Sequence, residues 1–167
     1  MPQTSKNENT IQFNYFMGDQ LINIKYRDGR KNFKLYKGAE KVFYNINSVV
    51  GYDWCVVVEG EMDVLALHEA GIKNAISVPN GATLNTNNLD YLDNCIDYLD
   101  NKTKIILAVD ADAAGQALRT EFIRRLGAEV CYLVDFNGQK DANEYLIENG
   151  AEALRNAIHK STQVPLE

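Results

Sequence analysis

From residue 54 onward, short apolar runs alternate with longer segments of helical spacing. Residues 54–58 (WCVVV) form an unbroken apolar run rich in β-branched side chains, as expected of a strand buried on both faces. Residues 62–70 predict a helix carrying Val64, Leu65 and Leu67, with Gly71 at its stop. A second short strand is expected at 75–78, closed by Pro79-Asn80-Gly81. Over 88–99 the apolar positions Leu89, Leu92, Ile96 and Leu99 step by 3, 4 and 3 residues, an amphipathic helix. A third strand follows at 104–109, a helix at 113–126 ended by Gly127, and a fourth strand at 129–134. Residues 141–148 and 151–159 predict two short helices separated by Gly150. Strands joined through helices pair in parallel by right-handed crossovers, and such open sheets work at the carboxyl ends of their strands.

Ahead of residue 54 the pattern is different. Residues 21–27 (LINIKYR) and 31–36 (KNFKLY) are β-prone, roughly alternating, and separated by Asp28-Gly29, which predicts a hairpin. Alternation places Lys25 and Arg27 on one face of their strand. A further short strand is expected at 42–44 (VFY). Residues 1–10 are polar without periodicity and are expected to be disordered. The expected organisation is a tail over 1–10, a small basic β-rich subdomain over 11–51, an α/β domain over 52–160 and a second tail over 161–167. The closing VPLE has no capped finish, and Leu166-Glu167 read as a cloning remnant on a chain cut from something longer.

Charge sharpens this division. The 167 residues carry a net charge of −6, which argues against a nonspecific DNA coat protein. Yet residues 25–41 hold seven Lys or Arg against two acidic residues, while the rest holds ten basic against 21 acidic. A basic stretch ahead of an acidic body separates holding a polyanion from holding a cation. The three cysteines, Cys55, Cys95 and Cys131, lie far apart, so buried free thiols are expected rather than a zinc site. No apolar run approaches the roughly 20 residues that span a bilayer, and the polar N-terminus lacks a signal peptide's apolar core. A cytoplasmic protein without membrane contact is the expectation.

Acidic residues gather where the strands end. The first α/β strand is followed by Glu59-Gly60-Glu61-Met62-Asp63, the third by Asp110-Ala111-Asp112, and the fourth, after a loop, by Lys140-Asp141-Ala142-Asn143. Gly60 suits a tight strand-to-helix turn that lets the backbone approach a ligand. Asp110 and Asp112, two apart, project to one side of extended backbone. Two like charges about 4 Å apart repel by about 1 kcal/mol in water and about 4 kcal/mol at a dielectric near 20, so a proton or a cation must relieve them. Oxygen ligands without His or Cys select a hard ion such as Mg²⁺ or Mn²⁺, commonly completed by substrate phosphate oxygens. Against this, a lone acidic residue after a strand is most often a helix cap, and Asp112 ahead of Ala113-Ala114-Gly115 suits that role too.

VVVEGEMDVLAL followed by ILAVDADAAGQA resembles the Toprim domain of primases, topoisomerases and related nucleases. The resemblance covers residues 52–150. The segments SVPNGA and KDANEYL make it most similar to the primase half of phage and mitochondrial-type primase–helicases, and more distantly to DnaG-type primases. The stretch LINIKYRDGRKNFKLYKGAEKVFYNI also resembles the basic subdomain ahead of Toprim in those proteins. The resemblance implies a Rossmann-like parallel sheet flanked by helices. It implies Glu59 as acid/base or metal-organising residue, Asp110, Asp112 and Asp141 as Mg²⁺ or Mn²⁺ ligands, and supporting roles for Gly60, Glu61, Asp63, Asn80 and Asn143. Lys25, Arg27, Arg30, Lys31 and Lys34 would contact template or nucleotide. Asn143 stands where DnaG-type enzymes commonly carry an aspartate, a weaker ligand that favours the primase–helicase branch. The implied partners are a single-stranded DNA template and nucleoside triphosphates, with helicase and zinc-binding modules outside this chain.

The basic stretch has Tyr26, Phe33, Tyr36, Phe43 and Tyr44 in or beside it. Its charges suit phosphates and its rings suit bases, or the rings face the hairpin's own core. Asn80-Gly81 is either a plain turn or a backbone approach to phosphate. Arg119, Arg124 and Arg125 read as helix surface, and His68 and His159 as solvated or helix-end residues. No Walker A or dinucleotide motif is present. Template-directed ribonucleotidyl transfer for primer synthesis is the leading expectation. A metal-dependent nuclease or topoisomerase-like module, and a non-catalytic DNA- or partner-binding scaffold, stand as alternatives.

Overall fold

The computed structural model describes residues 9–81 and 89–166. Residues 1–8 of the expected tail, Asn88 at the start of the expected helix, and Glu167 lie outside them. The central sheet has the order β5-β4-β6-β7-β8, from Ala75–Ser77, Trp54–Val58, Lys104–Leu107, Cys131–Leu133 and Thr162–Gln163. Its first four strands are parallel and β8 closes the edge antiparallel. The parallel sheet flanked by helices, with a small antiparallel sheet ahead of it, is thus present as the pattern required.

Period-2 alternation inside the apolar runs explains the layering. Cys55 and Val57 of β4, with Ile105 and Leu107 of β6, face a core that includes Leu118 and Phe122 of α4 (Ala113–Leu126). Val56, Val58 and Ile106 face the opposite core, built from α1 (Glu61–Glu69), α5 (Ala142–Asn149) and α6 (Ala151–His159). Both faces are covered, as a parallel sheet requires. Cys55, Cys95 and Cys131 are buried and free. Among the described residues no helix is long and apolar enough to cross a membrane.

The N-terminal sheet has the order β1-β2-β3, from Ile11–Met17, Gln20–Arg27 and Phe33–Leu35. Phe13 and Tyr15 of β1 join the same core as Cys55 and Val57, so this sheet shares the interior of the α/β half. The turn between β2 and β3 is wider than the two-residue hairpin that Asp28-Gly29 suggests. The Asp28 carboxylate accepts the N–H groups of Arg30 and Asn32, both at 2.9 Å, and the Asn32 side-chain amide at 2.9 Å. This organises the loop around the side chain, as Asx turns do.

Four local expectations change. Residues 11–17, not singled out as a strand, form β1. Residues 161–167, expected as a tail, contribute β8. The expected strand at 42–44 reduces to a single antiparallel bridge from Tyr44 to Ser77. The expected helix over 88–99 splits into α2 (Asp90–Asn94) and α3 (Ile96–Leu99), because Cys95 leaves helical geometry at φ −112° and ψ 9°. That break turns Ile96 out to solvent while Leu89, Leu92 and Leu99 remain buried.

Candidate metal and nucleotide site

Three strand ends deliver the acidic residues to one cavity of about 490 Å³, at the carboxyl edge of the parallel sheet. Its wall includes Glu59, Asp63, Asp110, Asp112, Asp141 and Asn143 from the α/β half, and Arg27, Lys31 and Phe33 from the N-terminal hairpin. Asp63, Asp110 and Asp141 each bring a carboxylate oxygen within 4.8 Å of the other two. Asp63 sits in the first turn of α1, and its Oδ1 accepts the Asn143 N–H at 3.0 Å, which ties α1 to the start of α5. Asp141 caps α5 through the Glu144 N–H at 2.9 Å.

Burial and the charge of their neighbours make Asp63 and Asp110 reluctant to ionise. Asp63 is pushed up to about 7, first by burial, then by the charge of Asp141, with the Asn143 hydrogen bond opposing. Asp110 is pushed up to about 8, first by burial and then by Glu59, Asp63 and Asp141. Lys140, whose Nζ lies 3.8 Å from Asp110 Oδ2, offsets only part of this. Asp110 Oδ1 is buried and, among the described residues, has no hydrogen-bond partner. A buried oxygen left unpaired costs about 1–3 kcal/mol. An unpaired oxygen, two neighbouring carboxylates and an all-oxygen donor set fit a hard divalent cation.

The structure therefore brings together part of the expected ligand set and one residue beyond it. Asp110 and Asp141 are in the cluster, and so is Asp63, for which the family resemblance implies only a supporting role. Asp112 lines the same cavity, but its Oδ1 accepts the Gly115 N–H at 2.7 Å, which makes it the N-cap of α4. Glu59 lines both this cavity and the adjoining one, with Oε2 accepting the Asp110 N–H. Asn143 serves through its backbone. Gly60 caps α1 in extended geometry, and a Cβ there would come 3.3 Å from Asp63 Oδ2.

The basic residues separate in the same way. Lys25 is buried at 7% exposure. Its Nζ bonds Glu61 Oε1 at 2.9 Å, Glu61 Oε2 at 3.0 Å and the Pro79 carbonyl at 2.9 Å. The Tyr15 hydroxyl donates to Glu61 Oε2 at 3.0 Å, and burial first, then the charge of Glu61, raises that phenol's pKa. Lys25 and Glu61 thus support the cleft. Arg27 and Lys31 line the carboxylate cavity, with Lys31 at φ 63°. Lys34 is exposed and lies outside both cavity linings, and Arg30 sits in the turn. Asn80 and Gly81, the latter at φ 69°, line an adjoining cavity of about 380 Å³ with Lys25, Phe33, Glu59 and Glu61.

Two further residues went unread in the sequence. A Cβ on Gly115 would fall 2.1 Å from the Asp110 carbonyl oxygen and 2.9 Å from Glu59 Oε2, so only glycine lets α4 approach this closely. A glycine in a helix's first turn, where it disfavours the helix, was the available signal. Tyr15 was marked by the alternation of IQFNYFM.

The chain is 35% identical to the Primase homolog protein of Arabidopsis thaliana over its full length, spanning 55% of that protein. It is 34% identical to the Twinkle homolog protein, chloroplastic/mitochondrial, of the same plant, over 95% of this chain and 25% of that protein. The chain spans about half the length of the first relative and a quarter of the second. Among solved structures, the primase fragment of the bacteriophage T7 primase-helicase protein superposes with a TM-score of 0.75 at 24% identity, covering 88% of this chain and 61% of that one. That similarity speaks for the fold. Residues 56–146, which carry Glu59, Asp63, Asp110 and Asp141, match the family model described as Toprim-like, and the chain belongs to that family.

Proposed function

We propose that the chain is the catalytic core of a DNA primase and performs metal-dependent, template-directed ribonucleotidyl transfer. The observation that carries this is the unpaired, buried Asp110 Oδ1 beside the Asp63 and Asp141 carboxylates, with Arg27 and Lys31 on the same cavity wall. In this reading Asp63, Asp110 and Asp141 hold Mg²⁺ or Mn²⁺, and Asp112 caps α4. The bound cation would neutralise the triphosphate and align the reacting groups. Arg27 and Lys31, with Arg30 and Lys34 on the same hairpin, would hold phosphates of template or nucleotide. Glu59, fixed by the Asp110 amide, stands as the base for the attacking 3′-hydroxyl. Lys25, first expected to bind nucleotide, acts by holding the hairpin in place.

Primase relatives support the reading, and the helicase in the T7 protein's name extends it to a helicase partner for this chain. A zinc-binding module outside the chain belongs to the same proposal. So does a cytoplasmic location, although one relative's name places that protein in chloroplast and mitochondrion.

The test measures Mn²⁺-induced broadening of amide NMR signals together with ribonucleotide incorporation on single-stranded DNA. Broadening centred on residues 59–63, 110–113 and 141, and incorporation lost in Asp110→Asn, are the expected results. Diffuse broadening with no incorporation by the wild-type chain would overturn the assignment.

A further inference from the structure

Of the five aromatic residues associated with the basic stretch, four have an aromatic partner. Tyr26 is buried at 4% exposure and packs edge-on at 6.4 Å against Tyr36, which is 43% exposed but lines neither cavity of the cleft. Phe43 is fully buried against Tyr91 and Phe122. Tyr44 packs on Phe13 and Tyr15. Phe33 differs. It is 54% exposed, and among the described residues no aromatic ring pairs with it.

The placement of this ring follows from strand register. Arg27 pairs with Phe33 and Lys25 with Leu35 across the antiparallel β2–β3 ladder. Opposed residues share a face, so Lys25, Arg27, Phe33 and Leu35 all look into the cleft. Lys25 Nζ lies 4.7 Å from the Phe33 ring centroid and Arg27 Cζ 5.8 Å from it. Cations at such distances are attracted by the ring's quadrupole and hold its position. Lys25 is itself fixed by Glu61 and Pro79, so the ring is tied through it to the start of α1.

Phe33 is also the aromatic residue that walls both cavities of the cleft, about 380 and 490 Å³. Both volumes fall within the roughly 300–1,000 Å³ typical of small-ligand sites. The larger cavity holds the carboxylates with Arg27 and Lys31, which suits phosphates. The smaller one is lined by Leu35, Pro79, Asn80 and Gly81 beside the ring, a mixture of apolar wall and polar edge.

We propose that Phe33 is a stacking surface for a nucleobase, at the junction between the carboxylate cavity and its neighbour. This deepens the nucleotide reading above and rests on it. Any base offers a π-face, so the contact favours a base over none and discriminates little among bases. The base belongs either to the template strand or to an incoming nucleotide.

The experiment compares wild type, Phe33→Leu and Phe33→Trp by fluorescence anisotropy. One arm uses labelled oligothymidylate against an abasic strand of equal length. A second uses displacement of a labelled nucleotide by ATP against inorganic tripolyphosphate. Aromatic stacking is worth about 5- to 150-fold in affinity. In wild type the base-bearing probe of at least one arm should therefore bind more tightly by a factor in that range. Phe33→Leu should abolish the preference and Phe33→Trp preserve it, both with unchanged thermal melting. A preference confined to the strand arm assigns the base to template, and one confined to the ATP arm assigns it to incoming nucleotide. Wild-type binding with a base preference that survives in Phe33→Leu overturns the stacking role alone. Failure of wild type to bind any of the probes overturns the nucleotide reading and this inference together.

Discussion

Two polar groups, one buried and one half-buried, stand at the same cleft under opposite conditions. In the Lys25–Glu61–Tyr15 group, donors meet both carboxylate oxygens of Glu61 at 2.9–3.0 Å. In the Asp63–Asp110–Asp141 group, like charges gather, Asp110 Oδ1 is unpaired, and two carboxyls are pushed to about 7 and 8. A satisfied buried network holds elements in register, whereas an unsatisfied one is completed by what it binds. The first group is therefore read as scaffold and the second as ligand site.

Mutations of opposite sign sharpen this contrast. Glu61→Ala strips Lys25 of its buried counter-charge and should destabilise the chain by about 3–5 kcal/mol, measured by urea unfolding. Gly115→Ala forces a Cβ into the Asp110 carbonyl and should cost about 1–3 kcal/mol, with weaker Mn²⁺ binding beside it. Asp112→Ala should lose about 1 kcal/mol of capping while retaining Mn²⁺ binding by calorimetry. Retention would separate Asp112 from Asp110, and abolition of binding would return Asp112 to the ligand set. Asp110→Asn acts the other way. Folding at neutral pH obliges Asp110 to take up a proton that the unfolded chain lacks, so an amide that never ionises should raise the stability of the metal-free chain by about 1 kcal/mol while removing a ligand for the cation.

The pH dependence has a definite sign. Asp63 and Asp110 hold their protons to higher pH in the folded chain than in the unfolded one. Between the ordinary carboxylate value of 3.8 and about 8 the folded state thus binds more protons, so this contribution to stability falls as pH rises. Saturating Mn²⁺ should flatten the decline, and so should Asp63→Asn with Asp110→Asn. Melting curves of the three samples across this range check it. A slope that neither metal nor the double substitution alters would remove the carboxylate cluster from the explanation.

The parts of this molecule differ in how far sequence discloses them. The β4 and β6 runs are apolar on both faces, so burial on both sides was legible at once. The strand-end positions of Glu59 and Asp110 followed from the same runs, and Asp141 from the loop after the fourth strand. Asp63 was harder to place because its role depends on the Asn143 amide, 80 residues away, which no local pattern announces. Lys25 and Arg27 look equivalent by alternation, yet one is buried under Glu61 and the other lines the cavity. That distinction arises only when α1 is laid against the hairpin. β1 was within reach of the period-2 rule, since Phe13 and Tyr15 point inward while Gln12 and Asn14 point out.

The hydroxyl that Tyr15 lends to Glu61 bears on where this protein can be cut. A piece beginning at residue 52 would retain every carboxylate of the cleft and all four parallel strands. It would also leave Glu61 without Lys25 and Tyr15, and would bare the core surface now covered by Phe13, Val42 and Phe43. The smallest portable unit therefore begins ahead of Ile11, and grafting the acidic motifs into another scaffold means carrying the hairpin with them.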